Sequence, residues 1–283
     1  MLLDPTPLRS PPEWNPNIIA SFQEAVEIPC ILLHRDNTRL GQVQAELLEI
    51  GLFEALIMHA LGSDTPKLVK SISLRALDLL IWYNSVARTK LARHVITEGK
   101  RPIPAILAVI IMAIDGGPES LALRSAASDM IGSYLSDNVE GQVVIASTFK
   151  SPRLPASPGH CNNSAGSVLI ERAVHALGVR KDPHCIWFPV TILCHVLRDN
   201  SQCKMIALNH QISLEADGED TADNCMSLMA VVTQRLVSCV HDPKQLQSSL
   251  AYLMLLATWL FSYPPAVEAF ISQGSNISLV SIP

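Results

Sequence analysis

Histidine and cysteine are the residue types in this sequence that would most readily form a structural zinc site. They occur as neighbours at three places, His160-Cys161, His184-Cys185 and Cys194-His195. Adjacent residues on a helix do not face the same way, so Cys194 and His195 are poorly placed to bind one ion together. A structural zinc site needs four converging ligands, arranged as short spaced pairs, and the sequence contains no C-x-x-C pair. We therefore predict no metal site and no cofactor.

Serine, histidine and aspartate are all present, but no pattern arranges them for catalysis. The sequence lacks G-x-S-x-G, the phosphate-binding G-x-x-x-x-G-K-[ST], the dinucleotide-binding G-x-G-x-x-G and the zinc-protease H-E-x-x-H. Nothing indicates a nucleophile on a strained turn beside a base. We predict that the chain is not an enzyme, and an unrecognised helical enzyme is the weakest of the functions considered.

Two clusters of charge are the candidate binding features. The basic cluster contains one acid, Glu98, among its cations: Arg88, Lys90, Arg93, His94, Lys100 and Arg101. Such a cluster could bind an acidic partner or an anionic lipid head group. A solvated helix face explains it more simply, and we favour that interpretation.

The second cluster is acidic and contains no base: Glu215, Asp217, Glu219, Asp220 and Asp223. It could recruit a basic surface. We favour the alternative that its later members complement the dipole of a helix that starts near Ala222. The net charge of the whole chain is −5, so no basic field favours nucleic acid.

The elements that carry these residues are predicted to be helices throughout. Hydrophobic residues make up 48% of the 283 residues and aromatic residues only 5%. The apolar residues recur at helical spacing over residues 18–30, 43–48, 52–61, 68–81, 91–96, 106–114, 121–135, 139–145, 168–177, 188–197, 205–212, 225–240, 246–261 and 267–271. No run of period-two alternation interrupts them. The pattern predicts about fifteen short helices and no strands, stacked as an all-α, armadillo/HEAT-like, right-handed α-solenoid.

Glycines that follow apolar helices support a repeat. Gly51, Gly99 and Gly274 each stand between an apolar helix and the next apolar segment. A glycine past a helix end turns the chain cheaply through the left-handed conformation. The intervals accommodate repeats of about 40–47 residues, which are typical of armadillo and HEAT proteins. Gly51 leaves almost no linker between two helices, so we predict a positive φ at that residue.

The remaining segments define the domain organisation. Residues 1–16 hold five prolines and are predicted to be a disordered extension without a signal peptide. Residues 17–283 are predicted to form part of an armadillo-like domain, with a long loop at residues 151–164. The longest apolar run, residues 103–114, is too short to cross a membrane. The seven cysteines indicate reduced thiols and a cytosolic compartment.

Three tryptophans, Trp82, Trp187 and Trp259, lie on apolar helix faces. Tryptophan is enriched at the centres of protein interfaces, so each could anchor a partner. Packing between stacked repeats is the interpretation we favour, because their neighbours are apolar.

Several stretches of the sequence resemble the globular head of the general vesicular transport factor family. They are LRSAASDMIGSYLSDNVEGQVVIASTF (residues 123–149), SAGSVL (residues 164–169) and YLMLLATWLFSYPPAVEAFI (residues 252–271). Earlier segments fit the same order: EWNPNIIASFQEAVEIPCILL around Trp14, then ELLEIGLFEALIMHAL, then Pro102 and Pro104 before AILAVIIMAI. The resemblance is colinear through nearly the whole chain.

The resemblance implies an armadillo-like head of a Golgi vesicle tether in endoplasmic-reticulum-to-Golgi and intra-Golgi traffic. It implies protein partners, namely a Rab-family GTPase, golgins and SNAREs, and a cytoplasmic protein associated peripherally with Golgi or vesicle membranes. Family members are homodimers through a coiled coil, and no such heptads occur in these 283 residues. The alternative function is a generic armadillo/HEAT adaptor unrelated to vesicle tethering.

Overall fold

The computed structural model describes residues 13–34, 38–97, 102–150, 164–174, 182, 184–213 and 225–272. Within these ranges the chain forms fourteen α-helices, and its remaining regular structure is three single-turn 3-10 segments and four short strands. The helices follow one another in triplets, which we call repeats one to four. The all-helical, armadillo-like solenoid predicted from the sequence is confirmed.

Each repeat consists of a first, a second and a third helix. The first helices are α2 (Leu40–Glu49), α5 (Ser85–Arg93), α8 (Val139–Ser147) and α11 (Ser201–Leu208). The second helices are α3 (Leu52–Leu61), α6 (Ala105–Ile114), α9 (Ala165–Val174) and α12 (Leu228–Val240). The third helices are α4 (Lys67–Ile81), α7 (Leu121–Leu135), α10 (Trp187–Leu197) and α13 (Leu246–Leu260). By position and packing, α1 (Pro16–Leu32) is a third helix before repeat one, and α14 (Pro264–Ser272) is a first helix after repeat four.

The third helices form the spine of the molecule, since α1 packs on α4, α4 on α7, α7 on α10 and α10 on α13. A glycine permits one close approach: a Cβ built on Gly132 of α7 would lie 2.9 Å from the His195 ring of α10. In α13, Trp259 is fully buried and its indole Nε1 donates to the Lys204 carbonyl at 3.2 Å. The prediction of a core role is confirmed for Trp259, whereas Trp82 and Trp187 are half-buried.

A left-handed residue lies between the third helix of each of the four repeats and the first helix that follows it. These residues are Tyr83 (φ 52°), Asp137 (51°), Asp199 (52°) and Ser262 (53°). In the first three cases an asparagine follows, and its side-chain oxygen caps the next helix. Asn84, Asn138 and Asn200 accept from the backbone N–H three residues later at 3.0, 3.1 and 3.1 Å. An asparagine cap satisfies an N–H that has no partner within the helix.

In repeats one and three, a buried glutamine joins the first helix to the end of the third helix through the same set of hydrogen bonds. Gln44 Nε2 donates to the carbonyls of Leu79 (3.1 Å) and Trp82 (2.9 Å), at the end of α4. In repeat three, Gln142 Nε2 donates to the carbonyls of His195 (2.9 Å) and Arg198 (3.1 Å), at the end of α10. The side-chain oxygen of each glutamine accepts from the asparagine that caps the next first helix, at 3.4 and 2.9 Å.

In repeats two and four, a basic residue on the first helix occupies the position that the glutamine has in repeats one and three. Arg88 Nη2 donates to the Ser133 carbonyl of α7 at 2.9 Å, and its Nε donates to the Ile81 carbonyl at 3.2 Å. Lys204 Nζ donates to the Phe261 carbonyl just after α13, at 2.6 Å. We call Gln44, Arg88, Gln142 and Lys204 the bridging residues. All four are buried, and each joins the first helix of a repeat to the end of its third helix.

Two small antiparallel hairpins depart from the predicted helices. Strand β1 (Val95–Ile96) pairs with β2 (Ile103–Pro104), and β3 (Gln211–Ser213) pairs with β4 (Cys225–Ser227). The sequence had predicted helix over 91–96, 205–212 and 225–240, so the expectation of no strands was wrong at these points. Strand pairing across an intervening loop is a tertiary contact, which helical periodicity along one segment does not report.

The helix boundaries also differ from the prediction near the N-terminus. Helix α1 begins at Pro16, and Asn15 caps it by accepting from the Ile18 N–H at 3.0 Å. Trp14 packs edge-on against Phe22 and His59, with ring centroids 5.9 and 5.6 Å apart. Residues 13–16 of the predicted disordered extension are therefore part of the folded chain, and residues 1–12 lie outside the described residues.

Gly51 has φ +82°, which confirms the predicted left-handed turn between α2 and α3. The other two glycines of the proposed repeat marker, Gly99 and Gly274, lie outside the described residues. A Cβ on Gly51 would meet no atom within 4 Å, so the cost of substitution is conformational rather than steric crowding by neighbours.

We predict that Gly51→Val lowers the free energy of unfolding by roughly 1–3 kcal/mol through backbone strain. Gly51→Asn should cost less, because asparagine tolerates the left-handed region, and Gly51→Ala should lie between them. Urea denaturation of the three variants measures the order. A rise in melting temperature for Gly51→Ala would contradict the turn, since alanine stabilises only a continuous helix.

Replacing Gln142 tests the bridging residues. Gln142→Leu should lower the free energy of unfolding by about 2 kcal/mol or more, because buried carbonyls of α10 and the Asn200 amide lose their partner. The matched control is Gln234→Leu on the exposed face of α12, which should change stability by less than about 0.5 kcal/mol. Equal effects of the two substitutions would show that the bridge contributes nothing.

Candidate protein-binding edge

The connections between first and second helices start and end at equivalent points in repeats two, three and four. The His94 carbonyl after α5 accepts from the Ala105 N–H at the start of α6, at 2.9 Å. The His210 carbonyl after α11 accepts from the Leu228 N–H at the start of α12, also at 2.9 Å. In repeat three, Gly166 N–H donates to Thr148 Oγ1 at 2.8 Å. We call the described residues at these closure points, 93–96 and 103–105 in repeat two, 148 and 166 in repeat three, and 210 and 228 in repeat four, the connection edge.

The segments that differ most in composition lie within these three connections. Lys100 and Arg101 fall between β1 and β2, and the acidic cluster falls between β3 and β4. The proline-rich segment that was predicted to be a loop falls between α8 and α9, and its residues 151–163 lie outside the described residues. Lys100, Arg101, Glu215, Asp217, Glu219 and Asp220 lie outside the described residues. These segments therefore leave and rejoin the solenoid at equivalent junctions in three consecutive repeats. The spacing of the segments along the sequence did not reveal this equivalence.

At the repeat-two junction, side-chain contacts connect α5 to α3, the second helix of repeat one. Lys90 Nζ lies 2.7 Å from Glu54 Oε1 and 5.9 Å from the centre of the Phe53 ring. The hydrogen bond from Lys90 holds the pKa of Glu54 below its usual value. Phe53 also contacts the His94 ring edge-on at 6.4 Å. Lys90 is therefore an ion-pair partner at the protein surface, and an exposed pair of this kind contributes little to stability.

Arg93 remains an exposed cation of the predicted basic cluster. It stands at the end of α5, just before the hairpin on which Val95 and Ile103 are also exposed. At the repeat-four junction, the Phe149 ring of the preceding repeat lies 6.3 Å from the His210 ring. The connection edge therefore carries exposed cationic and apolar side chains. Contacts between phenylalanine and histidine rings link neighbouring repeats at the same edge.

Arg88 does not belong to the exposed cluster in which the sequence placed it. Its side chain is buried, and both its hydrogen bonds go to backbone carbonyls at the ends of α4 and α7. Burial lowers the pKa of this guanidinium. Charged residues in a sequence usually indicate an exposed helix face. Arg88 instead points inward, where its N–H groups donate to carbonyls at the ends of α4 and α7 that have no partner within their own helices.

The reactive side chains show no arrangement for chemistry in the part of the chain that the structure describes. Six cysteines there are free, and burial raises the pKa of the Cys194 and Cys203 thiols to about 11 and about 12. A thiol with a pKa so far above neutrality is a poor nucleophile. No group of three or more potential metal ligands occurs among the described residues, and no described helix is long and apolar enough to span a membrane.

Comparison with known proteins identifies the family. The model of the family "Uso1 / p115 like vesicle tethering protein, head region" matches residues 83–281, more than two thirds of the chain. The chain is 25% identical to Golgin candidate 6 of Arabidopsis thaliana over 258 residues, which cover 87% of this chain and 28% of that protein. It is 21% identical to the general vesicular transport factor p115 of Homo sapiens over 272 residues, covering 95% of this chain and 26% of p115.

A solved structure of Uso1-2 has the same fold, with a TM-score of 0.76 at 17% sequence identity. The match covers 97% of this chain and 42% of the Uso1-2 chain. The chain therefore spans about a quarter of the length of these two curated relatives and less than half of the solved structure. Since the family model matches most of the sequence, the chain belongs to the family of Uso1/p115-like vesicle tethering proteins and corresponds to part of their head region.

Proposed function

We propose that this chain works as part of the head of a vesicle tether in endoplasmic-reticulum-to-Golgi and intra-Golgi traffic. The observation that carries the proposal is the family match over residues 83–281. The relatives are named as a vesicular transport factor and a golgin, and the proposal extends that role to this chain. The mechanism is binding rather than catalysis: a solenoid of stacked repeats holds partner proteins in a set orientation.

The proposed location is the cytoplasmic face of Golgi or vesicle membranes, with peripheral association. The names of the relatives support it. The proposed partners are a Rab-family GTPase, golgins and SNAREs, which the resemblance of the sequence implies. Dimerisation through a coiled coil, as in the family, would need sequence outside these 283 residues.

The connection edge is the surface we propose for a partner. Insertions in a repeat protein map to one face, which is often the binding face. Here the charges at the two ends of the edge are opposite. Repeat two carries Lys90 and Arg93 on α5 and Lys100 and Arg101 in the connection that follows it, and the connection of repeat four carries Glu215, Asp217, Glu219 and Asp220. Complementary charge on a partner would set the register of docking and raise the association rate.

The family match favours the tether over a generic armadillo/HEAT adaptor, and nucleotide-dependent binding tests the tether function directly. The purified chain should capture a Rab-family GTPase of the early secretory pathway loaded with a non-hydrolysable GTP analogue, and should capture little of the GDP-loaded form. Capture that ignores the nucleotide, or no capture from a panel of Golgi and endoplasmic-reticulum Rab proteins, would contradict the tether function.

Charge reversal tests the connection edge within the same assay. Arg93→Glu should weaken capture roughly fivefold or more, because it removes an exposed cation and adds a repelling charge. Arg75→Glu is the matched control, since Arg75 is also exposed but lies on the third helix α4. If Arg75→Glu weakens capture as much as Arg93→Glu, net charge rather than the edge determines binding.

A further inference from the structure

A polar pocket of about 240 Å³ opens where repeats one, two and three join the repeats that follow them. Three of the four left-handed residues line it, namely Tyr83, Asp137 and Asp199, and all three are exposed. We call it the junction pocket, and its other lining residues are Leu135, Ser136, Val139, Gln142, His195 and Arg198. All of them come from α7, α8 and α10 or from the turns after α4, α7 and α10, so described repeats flank the pocket on both sides.

The inner wall of the junction pocket is held in place by the contacts of a bridging residue. Leu135 is fully buried, and Gln142 is buried with its amide donating to the carbonyls of His195 (2.9 Å) and Arg198 (3.1 Å). Its oxygen accepts from Asn200 at 2.9 Å. The pocket is therefore formed before any partner binds, which lowers the entropic cost of binding.

Negative charge predominates around the opening of the pocket. Asp137, Asp199 and Glu140, which lies in the first turn of α8, are exposed acids, and Arg198 is the exposed cation among the lining residues. Arg198 Nε lies 3.8 Å from Asp199 Oδ2, so this cation is already paired with an acid. The C-terminal ends of α7 and α10 also meet here and add partial negative charge.

The two other basic groups close to the pocket do not reverse this charge. Arg88 attracts Asp137, but it is buried, donates to backbone carbonyls and does not line the pocket. Burial and the nearby Arg198 lower the pKa of His195, so its ring is neutral at pH 7. Among the described residues no hydrogen bond reaches the ring nitrogens of His195, and a neutral imidazole has one nitrogen that can accept.

Apolar and aromatic surface adjoins the acids. Tyr83 and Val139 line the pocket and are each 60% exposed, and Val86 of α5 and Val144 of α8 are exposed nearby on the first helices. An exposed aromatic ring attracts a cation to its face. The pocket is smaller than the roughly 300–1,000 Å³ of typical small-molecule sites, so it suits one side chain of a larger partner.

We propose that the junction pocket receives an arginine side chain of a partner protein, with its guanidinium paired to Asp137 and placed against the Tyr83 ring. Apolar residues beside that arginine would contact Val139 and Val86. Arginine fits better than lysine, because its planar guanidinium carries five donors, pairs with carboxylates in a forked geometry and stacks on aromatic rings. None of these pocket residues belongs to the connection edge, so the inference goes beyond the surface proposed above.

The probe for this site is a labelled synthetic peptide of about twelve residues, in which one arginine is flanked by leucines and the other residues are serine. Fluorescence anisotropy should show that the 283-residue chain binds it. The same peptide with citrulline in place of arginine has nearly the same shape without the charge, and it should bind about tenfold more weakly.

Two substitutions locate the binding on the chain. Asp137→Asn should weaken binding of the arginine peptide about fivefold or more, and asparagine tolerates the left-handed backbone at this position. Tyr83→Asn should weaken it about threefold through loss of the aromatic face. Asp64→Asn is the matched control, because Asp64 is also exposed but lies between α3 and α4, and it should leave binding unchanged.

Several results would overturn the inference. One is equal binding of the arginine and citrulline peptides, or no binding of either. Another is binding that Asp137→Asn leaves unchanged, or that Asp64→Asn weakens as much. A third is self-association of the unaltered chain in sedimentation equilibrium that Asp137→Asn abolishes, which would make the occupant a second copy of the chain. These measurements use no Rab protein, so the inference and the proposed function can fail separately.

Discussion

The carbonyl groups at the end of a helix have no partner within that helix, and in this solenoid the ends of the third helices are covered by protein. The bridging residues Gln44, Arg88, Gln142 and Lys204 donate to these carbonyls from the first helix of each repeat. Each side chain is long, carries at least one N–H donor and is buried. Leaving such carbonyls unpaired would cost the full desolvation of the group, so the identity of these residues is restricted to donors of sufficient reach.

The same contacts set the geometry from repeat to repeat. In repeats one and three the bridging glutamine also accepts from the asparagine that caps the next first helix, so one side chain joins three helices. Lys204 makes a second contact with the third helix of its repeat, because its backbone carbonyl accepts a hydrogen bond from the indole of buried Trp259. With first and third helices fixed in this way, the connection between first and second helices is the part of a repeat that can change in length and charge without moving the spine.

That freedom explains why the segments with unusual composition occur where they do. A basic, a proline-rich and an acidic segment follow one another in repeats two, three and four, each between a first and a second helix. The stems that close two of them are short antiparallel pairs, which give the chain a defined departure point from the helices. This arrangement combines a rigid frame of first and third helices with chemically distinct segments at equivalent points of three consecutive repeats.

Local patterns in the sequence were sufficient for the helices but not for the contacts between them. The 3.6-residue period predicted the helical segments, and Gly51 predicted its turn because a positive φ depends on the residue itself. The true repeat signal was overlooked: Tyr83-Asn84, Asp137-Asn138 and Asp199-Asn200 each follow a long apolar helix. Arg88 was misassigned to an exposed face, since only the tertiary packing shows that its donors meet the ends of two other helices.

Hydrogen exchange, measured for the chain alone and with a GTP-loaded Rab-family GTPase bound, tests the proposed binding surface most directly. We expect slower amide exchange at the connection edge, in peptides that include Arg93 to Ile96, Thr148 or His210. We expect little change in peptides from α4 and α7, whose amides are already protected by the spine. Slowing confined to those third helices, with the edge unchanged, would contradict the assignment of the edge as the partner-binding surface.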